Sequence, residues 1–225
     1  MKIYDIHSHT YYSACGKDAP DTVIETAIKG GVEVFGICDH QYGVGDRINE
    51  YKEELFDCRE RFKDEIKLLV GIEIATLPFH RFDRYEYTKD LDYCLVEHLD
   101  WKESVVGRDI FDYPSKVFCD VGIAHTDLFA LAPRWGMTPL QLLTKLAESG
   151  IFWEMNVNYD STHGYREHQY VLDFYNNKEI QDTVRESGIT VSVGFDGHRY
   201  EDYDPGRVKR MCEFLCEKNI PNYIN

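Results

Sequence analysis

Two clusters of nitrogen and oxygen ligands bracket the chain. Asp5-Ile6-His7-Ser8-His9 lies at one end, and Asp196-Gly197-His198 follows the last apolar run. Residues two apart on an extended strand point to the same face, so Asp5, His7 and His9 are expected to look one way together, as are Asp196 and His198. Imidazole nitrogen and carboxylate oxygen form a ligand set that suits Zn, Mn or Fe. A lone His-x-His motif describes solvated histidines at a strand end equally well, so the placement of the remaining histidines decides between the two.

The elements that must position these residues are legible in the hydrophobic pattern. Short β-rich runs cover Lys2 to His7, Val32 to Cys38, Ile66 to Ile74, Asp92 to His98, Val121 to His125, Ile151 to Val157 and Ile189 to Phe195. Helical signals lie between them. Pro20, then Val23, Ile24, Ala27 and Ile28, stopping at Gly30-Gly31, has the proline-first, glycine-last asymmetry of a helix. Helical spacing recurs at Tyr51, Leu55, Cys58 and Phe62, at Leu140, Leu143 and Leu146, and at Val208, Met211, Cys212 and Leu215. Strands alternating with helices predict an α/β fold with a parallel sheet, either a barrel or a doubly wound layer, in one domain over residues 1–225. Leu77 to Asp90 is expected to be a polar, aromatic loop.

Placed on these runs, the unusual residues share one position. His7 and His9 follow the first strand, Asp39 and His40 the second; Glu73, His98 and His125 end the third, fourth and fifth, and Asp196 and His198 follow the seventh. In a parallel barrel the carboxyl ends of the strands converge on the face where active sites are built. Glu73 stands in an apolar run, Leu69-Val70-Gly71-Ile72-Glu73-Ile74. An unpaired carboxylate is costly to bury there, and a metal ion removes that cost.

Composition narrows the partners. The 225 residues are 43% hydrophobic and 14% aromatic, enough for a sizeable core without staples. Seven cysteines without framework spacing argue for free thiols in a reducing compartment, and the expectation is a cytoplasmic protein with no leader or membrane segment. A formal net charge of -15 argues against a broad nucleic-acid footprint. A small anionic substrate stays compatible, because bound divalent ions invert the local field.

Taken together, Asp5 to Thr10, Ile37-Cys38-Asp39-His40, Gly71-Ile72-Glu73, His98, Ala124-His125, Glu154-Met155-Asn156 and Gly194-Phe195-Asp196-Gly197-His198 resemble the motifs of the polymerase and histidinol phosphatase (PHP) domain superfamily over essentially the whole chain. The resemblance implies a distorted (β/α)7 TIM-like barrel and a trinuclear centre that hydrolyses phosphate esters. It is strongest to the compact, stand-alone, histidinol-phosphatase-like members. By position, it implies that His7, His9, Glu73 and Asp196 hold one ion. Glu73 then bridges to a second ion held with His98 and His125, and His40 and His198 hold the third. Compact members place a histidine soon after the His-x-His pair, where this chain has Cys15; its thiolate, or Asp18 from the same loop, is a substitute, and a weak or absent third ion is the other outcome.

The expected reaction is hydrolysis of a small phosphorylated metabolite, with two or three divalent ions (Zn, Mn or Fe) as cofactors. Asp39 and Glu73 are assigned to the catalytic centre, Asp39 either accepting a proton or orienting a ligand. Asp5 is expected to orient His7. Arg134, Arg166 and Arg199 are candidates for the phosphate, with Arg199 best placed because it follows His198. Glu154, Asn156 and Asn158 share a strand face and either line the cavity or form a buried polar network. His80, His163 and His168 receive no role, Trp153 is expected in the core, and Ser13 and Cys38 lack the context of a nucleophile. Two other classes stay open: an amidohydrolase-like metal hydrolase, and a metal-binding regulatory module without turnover.

Overall fold

A computed structural model describes residues 1–80, 83–158 and 168–224. The strands are β1 (Tyr4–Asp5), β2 (Val34–Ile37), β3 (Lys67–Ala75), β4 (Tyr93–Glu97), β5 (Asp120–Ile123), β6 (Ile151–Asn156) and β7 (Val191–Gly194). They pair in chain order, each parallel to the next. Parallel strands covered on both faces read as continuous apolar runs, and every residue of β2, β4, β6 and β7 is buried.

The sheet curls until its edges meet. Ile6 N–H donates to the Val193 carbonyl at 3.0 Å, Asp196 N–H donates to the His7 carbonyl at 2.7 Å, and Ser8 bridges Gly197. Asp5 fastens the same seam, since its Oδ1 accepts the N–H groups of both His7 and Phe195 at 3.0 Å. The result is a nearly closed seven-stranded TIM-like barrel. Strand one is shorter than the run from Lys2 to His7; beyond Asp5 the backbone makes single bonds to both neighbours, with the Ser8 carbonyl accepting from Cys38 N–H at 3.0 Å on the β2 side.

Helices α1 (Pro20–Lys29), α2 (Gln41–Val44), α3 (Ile48–Arg61), α4 (Leu128–Arg134), α5 (Pro139–Glu148), α6 (Gln169–Asn176), α7 (Lys178–Ser187) and α8 (Pro205–Glu217) connect the strands. The helical spacings noted above correspond to α1, α3, α5 and α8. Helix α5 starts with a reciprocal cap in which Thr138 accepts from Gln141 N–H and the Gln141 side chain accepts from Thr138 N–H. Helices α2, α4, α6 and α7 fall outside those spacings: α2 is four residues long, α4 contains Pro133, and α7 offers a narrow apolar stripe of Ile180 and Val184. Among its described residues, the loop from Leu77 to Asp90 holds two single 3-10 turns, Pro78–His80 and Tyr85–Thr88. No helix among the described residues is long and apolar enough to cross a membrane.

Candidate metal centre

The carboxyl ends of the strands bring the two sequence clusters into one ring. His7 Nε2 lies 3.1 Å from His9 Nε2, and Asp196 Oδ1 lies 3.1 Å from His9 Nε2 and 3.5 Å from His7 Nε2. Glu73 reaches in from β3. Its Oε1 stands 3.4 Å from His7 Nε2 and 3.1 Å from His125 Nε2, and its Oε2 stands 2.8 Å from His40 Nδ1 and 3.5 Å from His9 Nε2. His7, His9 and Glu73 are buried from solvent.

Outer contacts fix which imidazole nitrogens face inward. His7 Nδ1 is 2.6 Å from Glu154 Oε1, and a carboxylate accepts, so His7 donates there and turns Nε2 to the ring. For His9 the chain is longer. Asp39 Oδ1 accepts from Thr10 N–H, Ser13 N–H and the Ser13 hydroxyl, and Oδ2 accepts from the Thr10 hydroxyl. With its proton given to Asp39, Ser13 Oγ accepts from His40 N–H at 2.9 Å and from His9 Nδ1 at 3.1 Å. Both Nε2 lone pairs therefore meet head-on at 3.1 Å. Two acceptors sit that close only when a proton or a metal ion lies with them. An imidazole whose far nitrogen donates to a carboxylate or hydroxyl is the usual posture of a metal ligand, so the residues present fit a divalent cation.

Electrostatics show the same need for positive charge. Burial lowers the pKa of His7, but the surrounding negative groups, Glu154 foremost, carry it well above the usual histidine range. Burial and the neighbouring His198 and His40 hold His9 down at about 3. Glu73 is buried, yet the imidazoles of His40, His7 and His125 hold its carboxyl well below the usual range. The cluster stays charged, and without ions protons must balance it.

A further group of ligand atoms converges beside the first. Single ligand atoms of His9, His40 and His198 lie within 4.8 Å of one another, and the His9 ring stacks against both His40 and His198 at centroid distances of 4.5 and 4.4 Å, those two being 6.4 Å apart. Cys15 lies beside two of these residues, His40 and His198. Burial raises its thiol pKa, but hydrogen bonds to His198 and His40 bring it to about 7. The loop that carries it folds tightly, and Gly16 is required there because a Cβ would stand 2.0 Å from the Thr10 carbonyl oxygen. Asp18 is drawn elsewhere, accepting from Tyr200 N–H at 2.9 Å.

The remaining residues divide into those that hold the ring's imidazoles and those turned away from it. Asp39 spends its oxygens on the Thr10 to Ser13 loop, which makes it a positioning residue. Asp5 holds His7 through the backbone, and Glu154 orients the ring. Arg199 is not brought to the ring: strand-like alternation that turns His198 inward turns Arg199 outward, and it is exposed beside a crevice lined by Ser8, Val23 and Phe35. Arg134 is exposed at the end of α4, and Arg166 and His163 lie outside the described residues. His98 and His125 approach each other at 6.4 Å between ring centroids, with Trp101 edge-on to His98 at 4.5 Å. His168, given no role from sequence, is buried and stacks on His125 at 5.9 Å. Trp153 lies in the core as expected. Three rim residues adopt positive φ: His98 at 61°, His125 at 20° and Asp196 at 57°.

Sequence reading named Glu154 without its function. Its signal was Gly194 on the facing strand, where a Cβ would fall 1.9 Å from Glu154 Oε1 and 2.7 Å from the His7 Cβ. Only glycine lets the carboxylate reach the imidazole. Gly194→Ala is therefore expected to displace Glu154 and weaken divalent-ion affinity by about 10- to 100-fold, as loss of an orienting partner does; calorimetric titration checks this.

The family model for the PHP domain matches residues 5–199. A histidinol-phosphatase of Lactococcus lactis subsp. lactis (strain IL1403) is 31% identical over 81 residues, a stretch covering 33% of this chain and 30% of that relative's length. Among solved structures, the histidinol phosphate phosphatase of the same strain, complexed with zinc, L-histidinol and phosphate, superposes with a TM-score of 0.69 at 16% identity, covering 98% of this chain and 95% of that one. A chain of an archaeal ribonuclease P with mature tRNA superposes at 0.53 and 12% identity, covering 94% and 90%. At these identities the two structures support the fold alone.

Proposed function

Because this chain belongs to the PHP domain family, and because its strand ends gather acceptors that require added positive charge, we propose that it is a metal-dependent phosphoesterase acting on a small phosphomonoester, in the manner of a histidinol-phosphate phosphatase. The observation that carries this reading is the head-on approach of His7 Nε2 and His9 Nε2 at 3.1 Å, each imposed by a donor bond from the far nitrogen. On this reading His7, His9, Glu73 and Asp196 hold one ion, Glu73 shares a second with His98 and His125, and His40, His198 and Cys15 hold a third. Zinc is the metal in the solved relative, and manganese and iron suit the same donors. When bound, divalent ions supply charge for the phosphoryl oxygens and acidify a water from a pKa of ~15.7 toward ~7.

The protein's own groups hold that arrangement in place. Glu154 and Ser13 present His7 and His9 with their Nε2 atoms inward, and Asp39 anchors Ser13. Trp101 and His168 flank the His98 and His125 side of the ring. Arg134 and Arg199 are exposed, so neither is assigned to the phosphoryl group. All seven cysteines are free, which supports placing the protein in the cytoplasm.

Phosphate release from p-nitrophenyl phosphate, and from histidinol phosphate as the leading natural candidate, tests the proposal. Activity supported by Zn or Mn is expected to fall about 1,000-fold after chelation and dialysis and to return when ions are restored, since such catalysis is worth several kcal/mol. Full activity in chelator overturns the mechanism. Hydrolysis of amides but not phosphoesters overturns the substrate class.

A further inference from the structure

Glu97 has no part in the ligand set above, yet it ends β4 beside the ring and is only 2% exposed. Alternation along a strand turns consecutive side chains to opposite faces, but the left-handed backbone at His98 breaks the alternation and leaves both residues facing the centre. Glu97 Oε1 stands 3.2 Å from His40 Nδ1, and Glu97 Oε2 stands 3.2 Å from His98 Nδ1.

A buried carboxylate in that place needs a reason. His40 Nδ1, Glu73 Oε2 and Glu97 Oε1 are all buried, they converge within 4.8 Å, and none of the three makes an aligned hydrogen bond. Glu97 also lies in register with Ala75, just past Glu73 on the neighbouring strand. Two carboxylate oxygens and one imidazole nitrogen, all desolvated and pointed at one locus, are the donors that a divalent cation satisfies and that a hydrophobic strand end would not otherwise carry.

We propose that Glu97 is a metal ligand, closing a position with His40 and Glu73 and linking it through its second oxygen to His98. The inference rests on the metal centre of the proposed function and adds a carboxylate to Glu73 and Asp196. That extra negative charge balances the added charge of a multi-ion centre.

Two measurements test it. Chelator-treated wild type and Glu97→Gln are titrated with Mn2+ and Zn2+ by calorimetry, and their ion content is counted by elemental analysis. The expected result is a folded variant that holds one ion fewer or binds one class of ion more than about 10-fold more weakly, with partial recovery in Glu97→Asp. Unchanged ion count and affinity overturn the inference and leave Glu97 as an ion-pair partner of His40, with the proposed function intact. Wild type that takes up neither metal overturns both. The second measurement does not depend on the variant: anomalous diffraction from metal-soaked wild-type crystals is expected to place an ion about 2.0–2.2 Å from a Glu97 oxygen. Ions present with Glu97 out of contact with every one of them overturn the inference.

Discussion

Glu73→Gln is expected to lower phosphomonoester hydrolysis by about 1,000-fold or more and to release ions from the purified protein. The amide matches the carboxylate in size, so packing around this buried side chain is preserved and the change is one of charge. Glu73 lies within 2.8 to 3.5 Å of four imidazoles, those of His7, His9, His40 and His125. A glutamine keeps one oxygen for them and turns an NH2 toward nitrogens that must present lone pairs to a cation. A 1,000-fold loss corresponds to about 4 kcal/mol of lost transition-state stabilisation, within what a metal centre supplies. Steady-state kinetics with p-nitrophenyl phosphate, paired with elemental analysis, checks both halves. Activity within ten-fold of wild type would separate Glu73 from the reaction.

Removing the ions should also loosen the fold. The ring buries carboxylates and imidazoles whose mutual attraction only partly offsets their desolvation, and a ligand that binds only the folded state at 1,000 times its Kd stabilises by about 4 kcal/mol. For a chain of 225 residues, where each kcal/mol moves Tm by about 2–4 °C, chelation is expected to lower Tm by about 8–16 °C. Differential scanning fluorimetry with and without chelator reads this directly. Equal melting temperatures would mean that protons alone satisfy the ring.

Much of this centre was legible because two periodicities coincide. Alternation grouped Asp5 with His7 and His9, and Asp196 with His198, while the spacing of apolar runs put each of them at a strand end. The rest is illegible in the sequence because alternation fails there or the contacts are long-range. Glu97 was hidden because a regular strand cannot turn it and His98 inward together. Arg199 was promoted by its nearness to His198, although alternation argues against it. Ser13 was weighed as a nucleophile and set aside, and its service as a relay between Asp39 and His9 depends on a turn that brings Thr10 and Ser13 over β2. Glu154 and Gly194 act as a pair only because β6 and β7 align them, Glu154 with Ser192 and Asn156 with Gly194, a register that no single segment reveals.

The positive φ angles at the rim restrict how this site can change over evolutionary time. Left-handed backbone is tolerated by asparagine, aspartate, histidine and glycine and disfavoured for bulky or β-branched side chains. At 98, 125 and 196 the chain therefore imposes two demands, one from the cation and one from its own path, and histidine and aspartate are among the few residues that meet both. Glutamate, with its longer reach, is found on β3 and β6 and at the last residue of β4. Cys15 lies on a loop and carries no such backbone demand, so that position is free to change by chemistry alone. At the left-handed positions a substitution must solve a conformational problem before a chemical one.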